Sequence, residues 1–188
     1  MLAITAYGHP ILKKVGEEIE KDYPGLDKLI DDMYETMYNS RGVGLAAQQI
    51  NRPIRLFVID ASPYAEEFEE AKDFKKVFIN ARITSLEGEE WEMEEGCLSV
   101  PGINEFVKRH ETIRITYQDQ DFATHEEEYS GMLSRIIQHE YDHTEGIVFV
   151  ERLPQLKKML LKRKLKDISN GISPAEYKMI YPRKKSRR

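Results

Sequence analysis

Apolar and polar positions along this chain follow two periods, and the change from one to the other divides it into elements. Leu26, Leu29, Ile30, Met33 and Met37 recur at helical spacing behind Pro24-Gly25, with Lys28, Asp31, Asp32 and Glu35 mostly opposite, which predicts an amphipathic helix packed on the body. Ser130 to Gly146 predicts a second. Ser130 is its candidate N-cap, with a hydroxyl able to take up a first-turn N–H, and Gly146 suits the left-handed position after the last turn. Gln155 to Ile168 reads as a basic amphipathic helix that offers Leu156, Met159, Leu160, Leu165 and Ile168 for packing. Between the first two helices, Arg55–Asp60 and Lys76–Asn80 are apolar runs of strand length, joined by an acidic loop. Arg82–Leu86 extends the sheet, Thr112–Tyr117 alternates with a period of two, and further strands fall near His125–Tyr129 and Ile147–Val150. The acidic run Glu87–Glu95 is given no element. Helices at both ends and strands between, without regular alternation, predict an α+β single domain: mainly antiparallel sheets around the central 130–146 helix, with an N-terminal amphipathic helix and a C-terminal helix.

Composition limits what such a domain can be. With 188 residues the chain has the size of one domain. A hydrophobic content of 40%, with 10% aromatic, argues for an ordinary soluble globule, and no apolar run approaches the roughly 18 residues of a membrane helix. MLAITAYGHPILKK lacks the basic and apolar regions of a signal peptide. One cysteine, Cys97, excludes an intramolecular disulfide and fits a cytoplasmic protein. The net charge of −5 is unevenly spread. Residues 154–188 hold 12 Lys+Arg against two acids, which of the chain's 28 and 33 leaves 16 and 31 in residues 1–153, a tail at +10 and a body at −15. Such asymmetry points to polyanion contact at the basic end or to a solvated helix with a charged terminus. The expected division is a catalytic domain over 1–168 and a basic, flexible tail over 169–188.

The candidate chemistry lies in the second helix, where residues 138–143 read QHEYDH. His139 and His143 stand four apart, so at about 1.5 Å rise per residue both imidazoles leave one face some 6 Å apart along the axis and can share a cation. Between them, Glu140 is placed to take a proton from a water acidified by that cation. A catalytic site of this kind needs a third protein ligand. Cys97 is the candidate: Gly96 before it leaves room for close approach, and the strand-like Leu98-Ser99 after it offers backbone N–H groups. A lone cysteine also serves as a small buried hydrophobe.

Three separated motifs, GVGLAAQQ at 42–49, EGCLS at 95–99 and QHEYDH at 138–143, together resemble the peptide deformylases in order and separation, with flanking similarity from about Tyr7 to Leu165. The resemblance implies that Cys97, His139 and His143 hold one divalent metal ion, Fe²⁺ in the cell, with Zn²⁺, Ni²⁺ or Co²⁺ able to replace it. It implies Glu140 as general base and acid, and Gln49 with the Leu98 N–H as donors to the formyl oxygen. Gly44 and Leu45 would form the wall along which the peptide lies. The reaction implied is hydrolysis of the N-formyl group from the initiator methionine of nascent polypeptides, releasing formate. Val43, Met132 and Ile136 are candidates for the pocket of the methionine side chain, the latter two on the helix face of the histidines. Arg135 stands where many relatives carry an apolar residue. The expected partners are N-formylmethionyl peptides and, through the basic segment, the ribosome, with no membrane.

Two other readings share these residues. A metallopeptidase also carries H-E-x-x-H, but the histidine one class needs six residues on is Phe149, and a downstream acid such as Asp167 lies in a basic helix. A metal-stapled module docking on RNA through residues 154–188 would need a closed site with a fourth ligand, and no further Cys or His is spaced for it.

Overall fold

The computed structural model describes residues 1–183. Its main sheet follows from the period-two segments. β2 (Gly44–Ala46), β3 (Leu56–Asp60), β4 (Lys75–Gly96), β5 (Asn104–Gln118) and β6 (Thr124–Ser130) lie in that order and are antiparallel throughout. β1 (Ile4–Thr5) stands apart and pairs in parallel with the last strand, β7 (Met179–Ile180). Three helices complete the expected α+β domain: α1 (Leu26–Asn39), α2 (Gly131–Thr144) and α3 (Gln155–Ser169).

β4 runs straight through the acidic stretch to which the sequence assigned no element. Glu90, Glu92 and Glu94 are exposed there, while Trp91 and Met93 are half-buried and Glu95 is buried. This is strand alternation in which the exposed face is carboxylate. Three register shifts against β5, the last between Glu87 and Glu90, bend the long hairpin.

α2 is the centre of the molecule. Met132, Leu133, Ile136 and Ile137 pack on Phe57, Ile59, Phe78, Ile113 and Ile115 of the sheet, and polar residues on its other sides are buried as well. Each polar side chain so buried needs a partner. Gln138 Nε2 donates to His110 O and to Ser134 Oγ, both at 2.9 Å. Gly146, beyond the helix end, has φ +73° as expected, and a Cβ there would lie 2.7 Å from Lys13 O.

Four local expectations are corrected. Ser130 precedes α2 with extended dihedrals, but its hydroxyl meets that of Thr112 at 2.9 Å and not a first-turn N–H, because Ser130 also ends β6 opposite Thr112. Ile147–Val150 is not a strand. Val148, Phe149 and Val150 are buried around a single 3₁₀ turn, a use of a short apolar run that periodicity cannot distinguish from a strand. On α3 the buried residues are Leu161, Leu165 and Ile168, whereas Leu156, Met159 and Leu160 are 69%, 63% and 73% exposed. Finally, the segment expected to trail freely from residue 169 returns across the body to form β7. The backbone donors that hold it are Ile4 N to Lys178 O and Ala6 N to Ile180 O, both 2.8 Å. Of the terminal residues expected to be disordered, 184–188 lie outside the described residues.

Candidate metal centre and active site

Cys97, just past the end of β4, meets the two histidines of α2 beneath the hairpin. Their ligand atoms lie within 4.8 Å of one another, the sole such grouping of His, Cys, Asp and Glu among the described residues. Cys97 Sγ is 3.3 Å from His143 Nε2, and the His139 and His143 ring centroids are 5.3 Å apart. His139 uses Nδ1 to donate to Glu95 Oε2 at 2.9 Å, which turns its other nitrogen inward. Two imidazoles and a soft sulfur grouped this closely, with no fourth His, Cys, Asp or Glu in the group among the described residues, are a donor set that fits a divalent transition metal in an open site.

The electrostatics differ between the two histidines. His143 is held well below its ordinary pKa by burial first and then by the charges of His139 and Arg109, so it stays neutral as a ligand must. His139 is held well above: burial opposes protonation, but hydrogen bonds to Cys97 and Glu95 outweigh it. Glu140 is buried with Oε2 unpartnered among the described residues, and burial pushes it up to about 7, near the working range of a base. It reaches this place because residue 44 is glycine: a Cβ on Gly44 would lie 2.5 Å from Glu140 Oε1.

A network that motif reading missed holds His139 in place. Arg109, 2% exposed, spans Glu95 (Nε–Oε1 2.6 Å) and Asp142 (Nη1–Oδ2 2.8 Å). Arg152 adds a bond to Asp142 at 2.5 Å, and Arg135 Nη1 reaches Glu95 at 2.7 Å. Burial would raise the Glu95 carboxyl, but hydrogen bonds from His139 and Arg109 hold it well below the carboxylate range. Arg135 does not project freely into the pocket. Its guanidinium lies 4.1 Å over the Trp91 ring and donates to Trp91 O and Val107 O.

A cleft of about 340 Å³ opens onto these groups. Val43, Gly44, Met132 and Ile136 line it, together with Gln49, Cys97, Leu98, His139 and Glu140. Tyr64 and Met93, which the sequence did not suggest, line it too. Gln49 is buried with Oε1 fixed by Ala46 N–H at 2.8 Å, and Nε2 directed at Cys97 Sγ, 3.5 Å away. Among the described residues the Leu98 N–H has no intrachain acceptor. Leu45 departs from expectation: its side chain is fully buried with Ile30, Met33 and Leu56, and it is not among the residues that line the cleft, although its strand β2 is the edge of the sheet. Asp167 lies on α3 outside the cluster, and Phe149 stacks on the His139 ring at 6.0 Å.

The sequence profile of the polypeptide deformylases matches residues 1–159. The chain belongs to the peptide deformylase family. A peptide deformylase of Christiangramia forsetii is 51% identical to it with the whole of both chains aligned. The crystal structure of the Thermus thermophilus peptide deformylase superposes with a TM-score of 0.80 at 38% identity, covering 92% of this chain and 99% of the other. That of an Acinetobacter baumannii class I type b peptide deformylase, bound to Met-Ala-Ser, gives 0.74 at 32% identity and covers 81% and 98%. The chain is therefore a deformylase, a metal-dependent hydrolase that removes the N-formyl group from nascent peptides, and the metallopeptidase and RNA-docking readings have no support.

Proposed function

We propose that Cys97, His139 and His143 are the metal ligands of this deformylase, Glu140 its general base and acid, and Gln49 with the Leu98 N–H the donors to the formyl oxygen. The observation that carries the assignment is that Gln49, Cys97, Leu98, His139 and Glu140 line a single cleft, with His143 grouped behind it with Cys97 and His139. When bound, the ion supplies acidification of a water molecule and polarisation of the formyl carbonyl. Glu140 takes the water's proton and later returns it to the departing nitrogen; burial in a dry site keeps its proton affinity near neutrality, which lets one carboxylate do both. Negative charge that grows on the formyl oxygen is met by Gln49 Nε2 and the Leu98 N–H, both already oriented before reaction.

Val43, Met132 and Ile136 supply an apolar wall for the methionine side chain, and Arg135, tied to Trp91 and Glu95, closes that wall without bringing a free charge into it. The peptide lies extended along the open edge of β2, where Gly44 and Leu45 present backbone groups. The relative bound to Met-Ala-Ser supports a methionine-initiated peptide as occupant. The family resemblance supports Fe²⁺ as the ion in the cell, with Zn²⁺, Ni²⁺ or Co²⁺ as replacements, and a substrate made on ribosomes supports a cytoplasmic setting. No helix among the described residues is long and apolar enough to cross a membrane. Metal analysis of anaerobically purified protein, combined with formate release from formyl-Met-Ala-Ser, tests the assignment. Iron and formate are expected; protein that releases formate without a bound ion would overturn the ligand set.

The exposed apolar and basic surface of α3 supports contact with the ribosome. Replacing Lys162, Lys164 and Lys166 by Glu is expected to lower co-sedimentation with ribosomes at low salt and leave small-peptide turnover intact. Unchanged co-sedimentation would remove this role.

A further inference from the structure

Three successive carbonyls in the turn joining β4 to β5 are each held from a different part of the chain. Cys97 O accepts from Val100 N–H within the turn, Ser99 O accepts from Tyr7 N–H near the N-terminus, both at 2.8 Å, and Leu98 O accepts from the phenol of Tyr177 at 2.7 Å. The Cys97 carbonyl and the Leu98 N–H share one planar trans peptide unit, so the first bond sets the direction in which that N–H points. The bond to Leu98 O fixes the next plane. Together they clamp both dihedrals of Leu98.

Tyr177 is brought there by β7. The parallel pairing of Met179 with Ile4 secures its C-terminal side, and the Pro174 ring, against Gly102 in the same turn, secures the other. Among the described residues it is the one side chain that hydrogen-bonds the Leu98 backbone, and it comes from beyond the 1–159 stretch matched by the family profile.

We propose that Tyr177 is a positioning residue for deformylation: its phenol holds the Leu98 backbone so that the Leu98 N–H faces the formyl oxygen. The inference rests on the donor role given to Leu98 above. Tyr177→Phe, in the full-length metal-loaded enzyme, removes one oxygen and keeps the ring. Expected are a fall in kcat of about tenfold, a part of the two to three orders of magnitude that loss of a whole oxyanion donor costs, a KM within about twofold and an unchanged metal content. Amide exchange of Val100, which closes the same turn, is expected to quicken by about fivefold, as loss of a hydrogen bond of ~1 kcal/mol implies. Tyr181→Phe, which removes a hydroxyl without a hydrogen-bond partner among the described residues, is expected to change none of these. A lower melting temperature with unchanged kcat would reduce Tyr177 to a structural contact and overturn the proposal. Faster Val100 exchange with unchanged kcat would also overturn it and place the fault in the role of Leu98. A fall in kcat that tracks loss of metal would overturn it by assigning the effect to Cys97. Failure of the parent protein to release formate would instead refute the active-site assignment.

Discussion

α2 and α3 have nearly the same length, 14 and 15 residues, and opposite patterns of burial. α2 takes Arg135, Gln138, Glu140, Asp142 and His143 inside and must satisfy them with partners; α3 leaves Leu156, Met159 and Leu160 in solvent. Burying charge is costly unless it is paired, whereas exposing a few leucines costs little. The difference teaches where chemistry is built. The helix that accepts the cost of buried polar groups carries His139, Glu140 and His143, and the helix that evades it is left with a surface.

Mutations can break this contrast from the α2 side first. Glu140→Ala is expected to lower formate release by about two to four orders of magnitude with the ion retained; turnover within about tenfold of the parent would remove Glu140 as the base. Arg109→Ala leaves Glu95 and Asp142 as buried carboxylates short of a partner, and a loss of about 3–5 kcal/mol is expected in urea unfolding. A loss under ~1 kcal/mol would show that Arg135 and Arg152 suffice. From the α3 side, the double change Met159→Ser and Leu160→Ser is expected to shift stability by no more than about 0.5 kcal/mol and to leave turnover alone. A larger loss would mean that this face is covered in solution.

Glu127 sharpens the comparison, since it is half-buried and lies between the two regimes. Burial would raise its carboxyl, but hydrogen bonds from Lys76, Tyr129 and Tyr117 bring it down to about 2 from an ordinary 4.5. A group depressed in the folded state stabilises fully above its unfolded pKa, and that contribution is lost as pH falls from 4.5 toward 2. Glu127→Gln is expected to flatten the stability curve across that interval and to be close to silent in slope at neutral pH. An unchanged acid slope would show that solvent screening cancels the Lys76 pair.

How far the site could be read ahead of the structure depended on the kind of information each part needs. The meeting of His139 with His143 was legible from helical spacing, and that of Cys97 with them from its residue type and the family motifs; Gly44 was named as cleft wall by the resemblance, without the close approach of Glu140. The Glu95–Arg109–Asp142 network was not legible: in an acidic run one carboxylate looks like the next, and only the β4–β5 register decides that Glu95 turns inward while Glu94 turns out. Trp91, Met93 and Glu95 at a period of two were the available signal. The direction of Leu45 was equally hidden, since all three residues of β2 are buried and no alternation marks a face. Of the fold, the three helices and β3 were recovered, whereas the far half of β4 and the two-residue strands β1 and β7 were not. Met179–Ile180 is two residues in a basic surrounding, too brief for any period to appear.

The pairing of Ile4 with Met179 joins the first strand to the last. A contact that closes almost an entire chain into a loop carries the greatest entropic penalty and forms late. Synthesis proceeds from the N-terminus, so α2, with His139 and His143, is made before β7, the strand that brings Tyr177 to the Leu98 turn. If Tyr177 positions that turn as proposed, full turnover waits for the two ends of the chain to meet.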